Sequence, residues 1–252
     1  NNVIHNTYGP GIWIFNYDTT SSNKDLGKYI RIHHNVFYRT GTNPSIKWVG
    51  GIVISGFHNT YIENNVFDGI YHVAIANLYP ENYSPNYAST SPYTTIARNN
   101  IIVNTLKRKK SPSGTGYGAM NYLISNNHKL YMQYNCLYKN AVGNYKNCTS
   151  KTDIYVNPLF ASQTKHDYHL KSKTGRWNGN SWVKDTVISP CIDAGNPSWG
   201  YSQEPKPTEA GLISAGTEIQ YMHQNQRVNA LYLVTPFFEL ENSPLNLKRI
   251  LK

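Results

Sequence analysis

The sequence predicts an all-β solenoid, and three observations predict it: a recurring strand that ends on a pair of asparagines or their equivalents, a second apolar strand before it, and a composition of strand and turn residues. Four segments align by eye: Ile30-Arg31-Ile32-His33-His34-Asn35-Val36-Phe37, Tyr61-Ile62-Glu63-Asn64-Asn65-Val66-Phe67, Ile96-Ala97-Arg98-Asn99-Asn100-Ile101-Ile102 and Tyr131-Met132-Gln133-Tyr134-Asn135-Cys136-Leu137. Val3-Ile4-His5-Asn6 reads as the end of an earlier copy. The second asparagine then recurs at Asn6, Asn35, Asn65, Asn100 and Asn135, in steps of 29, 30, 35 and 35. Periods of this size mark stacked repeats.

The preceding strand is Gly11–Phe15, then Gly51–Ser55, Val73–Ala76 and Gly118–Asn121. Apolar residues alternate by twos, as in Ile30/Ile32 and Ile52/Ile54, which excludes the helical repeats of similar period. Each coil therefore reads strand, loop, strand, Asn corner, short strand, loop. At the corner an asparagine tolerates left-handed backbone. Coils stacked about 4.8 Å apart set each amide donor against the next acceptor. Asn35, Asn65, Asn100 and Asn135 are read as structural.

The composition agrees. Only 15% of the 252 residues are charged, while tyrosine alone contributes 21. Asn, Tyr, Ile, Gly, Ser and Thr belong to strands and turns rather than to helical bundles. The net charge of +10 points to a polyanionic partner. The one dense basic run, Lys107–Lys110, reads as a solvated loop, and no Lys/Arg stripe tracks a phosphate backbone, so nucleic acid is disfavoured. Three cysteines allow at most one disulfide, for which Cys136–Cys148 is a candidate. No apolar stretch is long enough to span a bilayer. The chain starts in mid-pattern without a cap, which reads as a fragment of a longer protein.

These repeats resemble the right-handed parallel β-helix proteins of the pectate-lyase-like superfamily. The resemblance continues through Asn157-Pro158-Leu159-Phe160, Asp167-Tyr168-His169-Leu170 and the closing run Ser189–Pro197. Within that group the sequence is most similar to the disaggregatases of methanogenic archaea. The resemblance implies a single-stranded right-handed parallel β-helix with long loops between coils. It also implies cleavage of a uronate-containing, chondroitin-like envelope polysaccharide outside the cell or at its surface. The β-helix domain is expected over 1–207, and 208–252 forms an atypical tail. In that tail Gly216–Tyr221 stands where the family ends on something like Arg-Tyr-Gly-Asn-Thr, a string that codons for Ala215–Tyr221 can spell in another frame. The tail after Pro207 thus reads as frame-shifted. A gene with no in-family reading in either other frame contradicts that.

Candidate chemistry follows from stacking the coils. One column is His33, Glu63, Arg98 and Gln133, an outward ladder in which His33 and Glu63 form a candidate acid/base pair. A second column aligns Asn16, Gly56 and Asn77, and beyond them Asp18, His58 and Tyr79. His72 enters the next coil, and Lys47 with Trp48 lies in the loop before. Asp18, Lys47, His58 and His72 are the catalytic candidates of this strand-to-loop edge. Trp13, Trp48 and Tyr79 offer faces for sugar stacking.

A lyase needs a base and a cation beside the uronate carboxylate, which Lys47, Arg31 and Arg39 can supply. A hydrolase needs two carboxylates, drawn from Asp18, Glu63 and Asp68, with Asp25 and Glu81 in loops. No cofactor or metal is expected, and the 14 carboxylates do not support a Ca2+ cluster. The expected partner is an acidic polysaccharide, and self-association into a homo-oligomer is compatible with it. The alternative function is a non-catalytic surface adhesin that binds glycan.

Overall fold

The computed structural model describes residues 2–15, 30–45, 50–55, 57, 59–78, 93–108, 115–122, 128–178 and 180–196. Within them the chain is all-β, apart from a single 3-10 turn at Gln163–Lys165. Successive passes of the chain add strands to three parallel sheets in rotation. The first holds β1 (Val3–His5), β4 (Val36–Tyr38), β7 (Val66–Asp68), β10 (Ile101–Val103) and β13 (Cys136–Tyr138). The second holds β2 (Ile12–Phe15), β5 (Ile52–Ser55), β8 (Val73–Leu78), β11 (Tyr117–Asn121) and β14 (Gly143–Lys146). The third holds β3 (Arg31–His33), β6 (Thr60–Glu63), β9 (Tyr93–Arg98) and β12 (His128–Gln133).

Alternation assigns the faces. The middle residue of each short strand in the first sheet (Phe37, Phe67, Ile102, Leu137) packs into a core shared with Ile52, Ile54 and Ile75 of the second sheet and Ile32 and Ile62 of the third. Phe37 and Phe67 stack there with centroids 4.9 Å apart. Burying each such side chain stabilises by about 1.5–3 kcal/mol. The glycines that open the second-sheet strands make room for this layer. A Cβ on Gly11 would stand 2.7 Å from the Phe37 ring, one on Gly51 2.7 Å from Phe67, and one on Gly118 2.8 Å from Leu137.

The flanking residues Val36, Val66, Ile101 and Cys136 face the other way, into a second apolar cluster. There they meet Phe160, Tyr168, Leu170, Cys191 and Ile192. The segment after the repeats, with the antiparallel pair β15 (Phe160–Ser162) and β16 (Asp167–Leu170), therefore covers the outer face of the first sheet. A second antiparallel pair, β17 (Arg176–Trp177) and β18 (Trp182–Val183), follows.

The asparagine ladder is present and runs in one direction. The Nδ2 of Asn35 donates to Asn65 Oδ1 at 3.0 Å, Asn65 to Asn100 at 3.0 Å and Asn100 to Asn135 at 2.9 Å. Each Oδ1 also accepts the backbone N–H of the asparagine before it. The spare Nδ2 hydrogen goes to the carbonyl two residues back, as in Asn65 to Glu63. Asn2 begins the series, donating to Asn35 Oδ1, and Asp153 ends it, its Oδ1 accepting from both Asn135 nitrogens. A carboxylate only accepts, so it closes a chain of donors without leaving an N–H unmatched. Burial raises the Asp153 carboxyl above its ordinary value, against the hydrogen bonds that favour the anion.

Three sequence expectations are corrected here. Val3-Ile4-His5 pairs with Val36-Phe37-Tyr38, so Asn2 holds the ladder position and Asn6 lies one strand further on, beside Arg39. The left-handed residue of the corner is the one before each ladder asparagine: His34, Asn64, Asn99 and Tyr134 have φ of 54–56°. The ladder asparagines themselves carry no positive φ. Cys136 and Cys148 are both free thiols that pack in different clusters, Cys136 outside the first sheet and Cys148 against the shared core. The neighbour of Cys136 is Cys191, whose thiol is pushed up by hydrogen bonding to Cys136 and by burial.

Candidate functional site

The third sheet confirms one predicted column and changes its meaning. His33 pairs in register with Glu63, Glu63 with Arg98 and Arg98 with Gln133. Glu63 was expected to face outward, yet it has no exposed surface. Arg31 Nε reaches its Oε2 at 2.5 Å, and Arg98 Nε reaches its Oε1 at 2.7 Å. Two guanidiniums thus cover the carboxylate and tie three passes together. Glu63 is the buried charge, and only the loss of both guanidiniums would leave it uncompensated, a cost of about 3–5 kcal/mol. His33 is exposed and its ring bonds the His34 ring, Nδ1 to Nδ1 at 2.7 Å. Arg31 is thereby part of this ionic tie.

The other predicted edge is only partly described. Asp18, Lys47, Trp48, His58 and Tyr79 lie outside the described residues, as do Asn16, Gly56, Asp25, Glu81 and the tail beyond 196. Asn77 pairs with Ile54 and Asn121, two positions short of Gly56, and donates to Asn121 Oδ1 at 3.0 Å. The predicted alignment of Asn16, Gly56 and Asn77 is corrected accordingly. Trp13 is exposed on the second sheet beside Val53. His72 is buried at φ +82°, and its carbonyl accepts the N–H groups of Gly116 and Tyr117. Burial first, then the charges of Arg108 and Lys146, hold its imidazole down to about 4. At physiological pH the imidazole is therefore neutral.

The described residues converge instead on a cleft of about 380 Å³ where the post-repeat segment crosses the first sheet. Tyr38, Arg39, Asp68 and Gly69 line it from the sheet side, and Gln163, Thr164 and His166 from the other. Register creates the sheet side, because His5, Tyr38 and Asp68 occupy the same position of β1, β4 and β7. The Tyr38 ring stacks with His5 (centroids 4.7 Å apart) and with His166 (4.0 Å). Arg39 follows Tyr38 at a left-handed corner (φ +51°), exposed at the rim.

Asp68 is the hub. Its Oδ1 accepts from Asn104 Nδ2 at 2.9 Å and Gln163 Nε2 at 2.8 Å, and its Oδ2 accepts from the Tyr168 hydroxyl at 2.9 Å. Burial and the Asp68 charge hold the Tyr168 phenol far above its ordinary value, so it stays protonated. His166 Nδ1 lies 3.1 Å from the same hydroxyl. Sequence reasoning named Arg39 and Asp68 but missed Gln163, His166 and Tyr168. The signal available in the sequence is the Asp167–Leu170 motif, which carries Tyr168 and follows His166 directly.

The fold and cleft define a class: an all-β protein of parallel sheets, built by stacked repeats and carrying a polar cleft on one outer face. A family model described as disaggregatase related matches residues 1–195, and the chain belongs to that family. No curated protein and no solved structure matches it. Among the described residues no helix is long and apolar enough to cross a membrane, and no three His, Cys, Asp or Glu side chains group to hold a metal ion.

Histidines held neutral predict an acid-side loss of stability. Burial, with the neighbouring His33 and Arg31 charges, lowers His34 to about 3, alongside His72 at about 4. Folded values below the unfolded value mean that the stability is fully present above about pH 6.5 and lost as pH falls below it. At pH 5 each contributes a loss of up to about 2 kcal/mol. His34→Asn places at this corner the residue found at Asn64 and Asn99. Its Tm difference between pH 7.5 and 5 should be smaller than that of the wild type, and an equal difference contradicts the assignment.

Proposed function

We propose that the chain is a carbohydrate-active enzyme that cleaves an acidic, uronate-containing, chondroitin-like polysaccharide, at the cell surface or outside the cell. In this reading the three sheets are faces of one right-handed parallel β-helix, and cleavage occurs by β-elimination at the cleft of Arg39, Asp68 and His166. The handedness follows from the rule for parallel strands joined by crossovers, which are right-handed in nearly all proteins. The family supports the polysaccharide, through the resemblance to methanogen disaggregatases, and the +10 charge suits a polyanion.

The observation that carries elimination over hydrolysis is the state of Asp68. Hydrolysis uses two carboxylates across the scissile bond, one to donate a proton and one to attack or activate water. Asp68 is the carboxylate that lines the cleft among the described residues, and three donors already occupy it. Elimination needs a cation for the uronate carboxylate and a base for the proton α to it. Arg39 at the rim and the His166 imidazole are groups of those two kinds.

Incubation with chondroitin-type and other uronate polymers tests this, following unsaturated-uronate absorbance and reducing ends together. Both signals should rise together, and Arg39→Ala should reduce both at least tenfold. Reducing ends without absorbance would indicate a hydrolase and overturn elimination. Binding with neither signal would indicate the adhesin.

A further inference from the structure

The hydrogen-bond order behind the cleft points to a base that is held in one tautomer. We propose that His166 Nε2 is the proton acceptor of the cleft, and that Tyr168 and Asp68 are positioning residues that keep the proton on His166 Nδ1. This rests on the elimination reading above.

The argument is one of donors and acceptors. A carboxylate oxygen only accepts, so the Tyr168 hydroxyl spends its single hydrogen on Asp68 Oδ2. The phenol oxygen is then left as an acceptor. His166 Nδ1, 3.1 Å from it, completes a hydrogen bond only if Nδ1 carries the proton. A neutral imidazole with N–H at Nδ1 presents a lone pair at Nε2. No hydrogen bond reaches Nε2 from the described residues, and the ring lines the cleft.

Three further contacts fix the ring and its partners. His166 stacks 4.0 Å from Tyr38, interplanar angle 12°. Its backbone sits at φ +57°, ψ +26°, closing the 3-10 turn with its N–H on the Gln163 carbonyl. Tyr168 is 1% exposed and packs edge-on against Phe160, so its hydroxyl has little freedom to turn elsewhere. The order carboxylate, hydroxyl, imidazole places a buried acceptor behind a base, the logic by which a third group orients a catalytic histidine.

The step balances without a further reagent. His166 Nε2 takes the proton from the carbon α to the uronate carboxylate, and Arg39 faces the negative charge that develops on that carboxylate. The electron pair of the broken C–H bond forms the new carbon–carbon double bond. The adjacent C–O bond breaks, its oxygen leaves with the electron pair and takes a proton from water, and the imidazolium returns its proton to solvent.

Two readouts test the assignment on the whole chain. Nitrogen-15 NMR of the wild-type protein should show His166 protonated at Nδ1. Tyr168→Phe, which keeps the ring and removes the oxygen, should shift it toward Nε2–H. His166→Gln should lower the yield of unsaturated ends at least 100-fold while polymer binding persists. A wild-type imidazole protonated at Nε2, or a tautomer unmoved by Tyr168→Phe, overturns the positioning. Unsaturated ends from wild type and His166→Gln at equal rates overturn His166 as base alone. Wild-type protein that makes no unsaturated ends from any uronate polymer overturns the elimination reading beneath it.

Discussion

Everything in this structure depends on amide-to-amide donation that runs one way through the stacked corners. Asn2, Asn35, Asn65, Asn100 and Asn135 each give a side-chain hydrogen to the next residue in line, and Asp153 receives the last. Each acceptor oxygen takes the preceding backbone N–H as well. From Asn35 to Asp153 these groups are buried, where an unmatched polar atom costs about 1–3 kcal/mol. A shift of one residue in any strand would break several bonds at once and exchange its inner and outer faces. Register is therefore specified twice, by the ladder and by the apolar alternation beside it.

That register builds the cleft. It sets Tyr38 beside His5 and Asp68 on the same outer column, and leaves Asp68 where Tyr168 can reach it from 100 residues along the chain. The outer apolar cluster presses the post-repeat segment onto the sheet, and the Asp68 bonds fix where it lands. Anchoring and the proposed chemistry thus share one carboxylate. On the third sheet the same stacking has the opposite outcome, because Arg31 and Arg98 cover Glu63 and leave a tie rather than an exposed acid.

How far the sequence was legible follows from which interactions are local to the repeat. The ladder asparagines, the strand pairs and the His33–Glu63–Arg98–Gln133 column all followed from spacing, because a repeated motif places equivalent residues side by side. The first pass was misaligned by four residues, since Val3-Ile4-His5 resembles the end of one strand while pairing as the next. Which residue of the Asn pair turns left-handed was also hidden: both can adopt that backbone, and only the ladder bonds decide between them. Burial of Glu63 depended on where two arginine side chains fold. The cleft was the least visible feature, because Gln163, His166 and Tyr168 meet Asp68 outside the repeat, where no period relates them.

The most direct measurement of the central claim is the unfolding free energy of Asn100→Ala, at the middle of the ladder. The substitution removes the acceptor of Asn65 and the donor to Asn135, so the account predicts a loss of about 3 kcal/mol or more. A loss within about 0.5 kcal/mol, the range of an ordinary surface position, would contradict it.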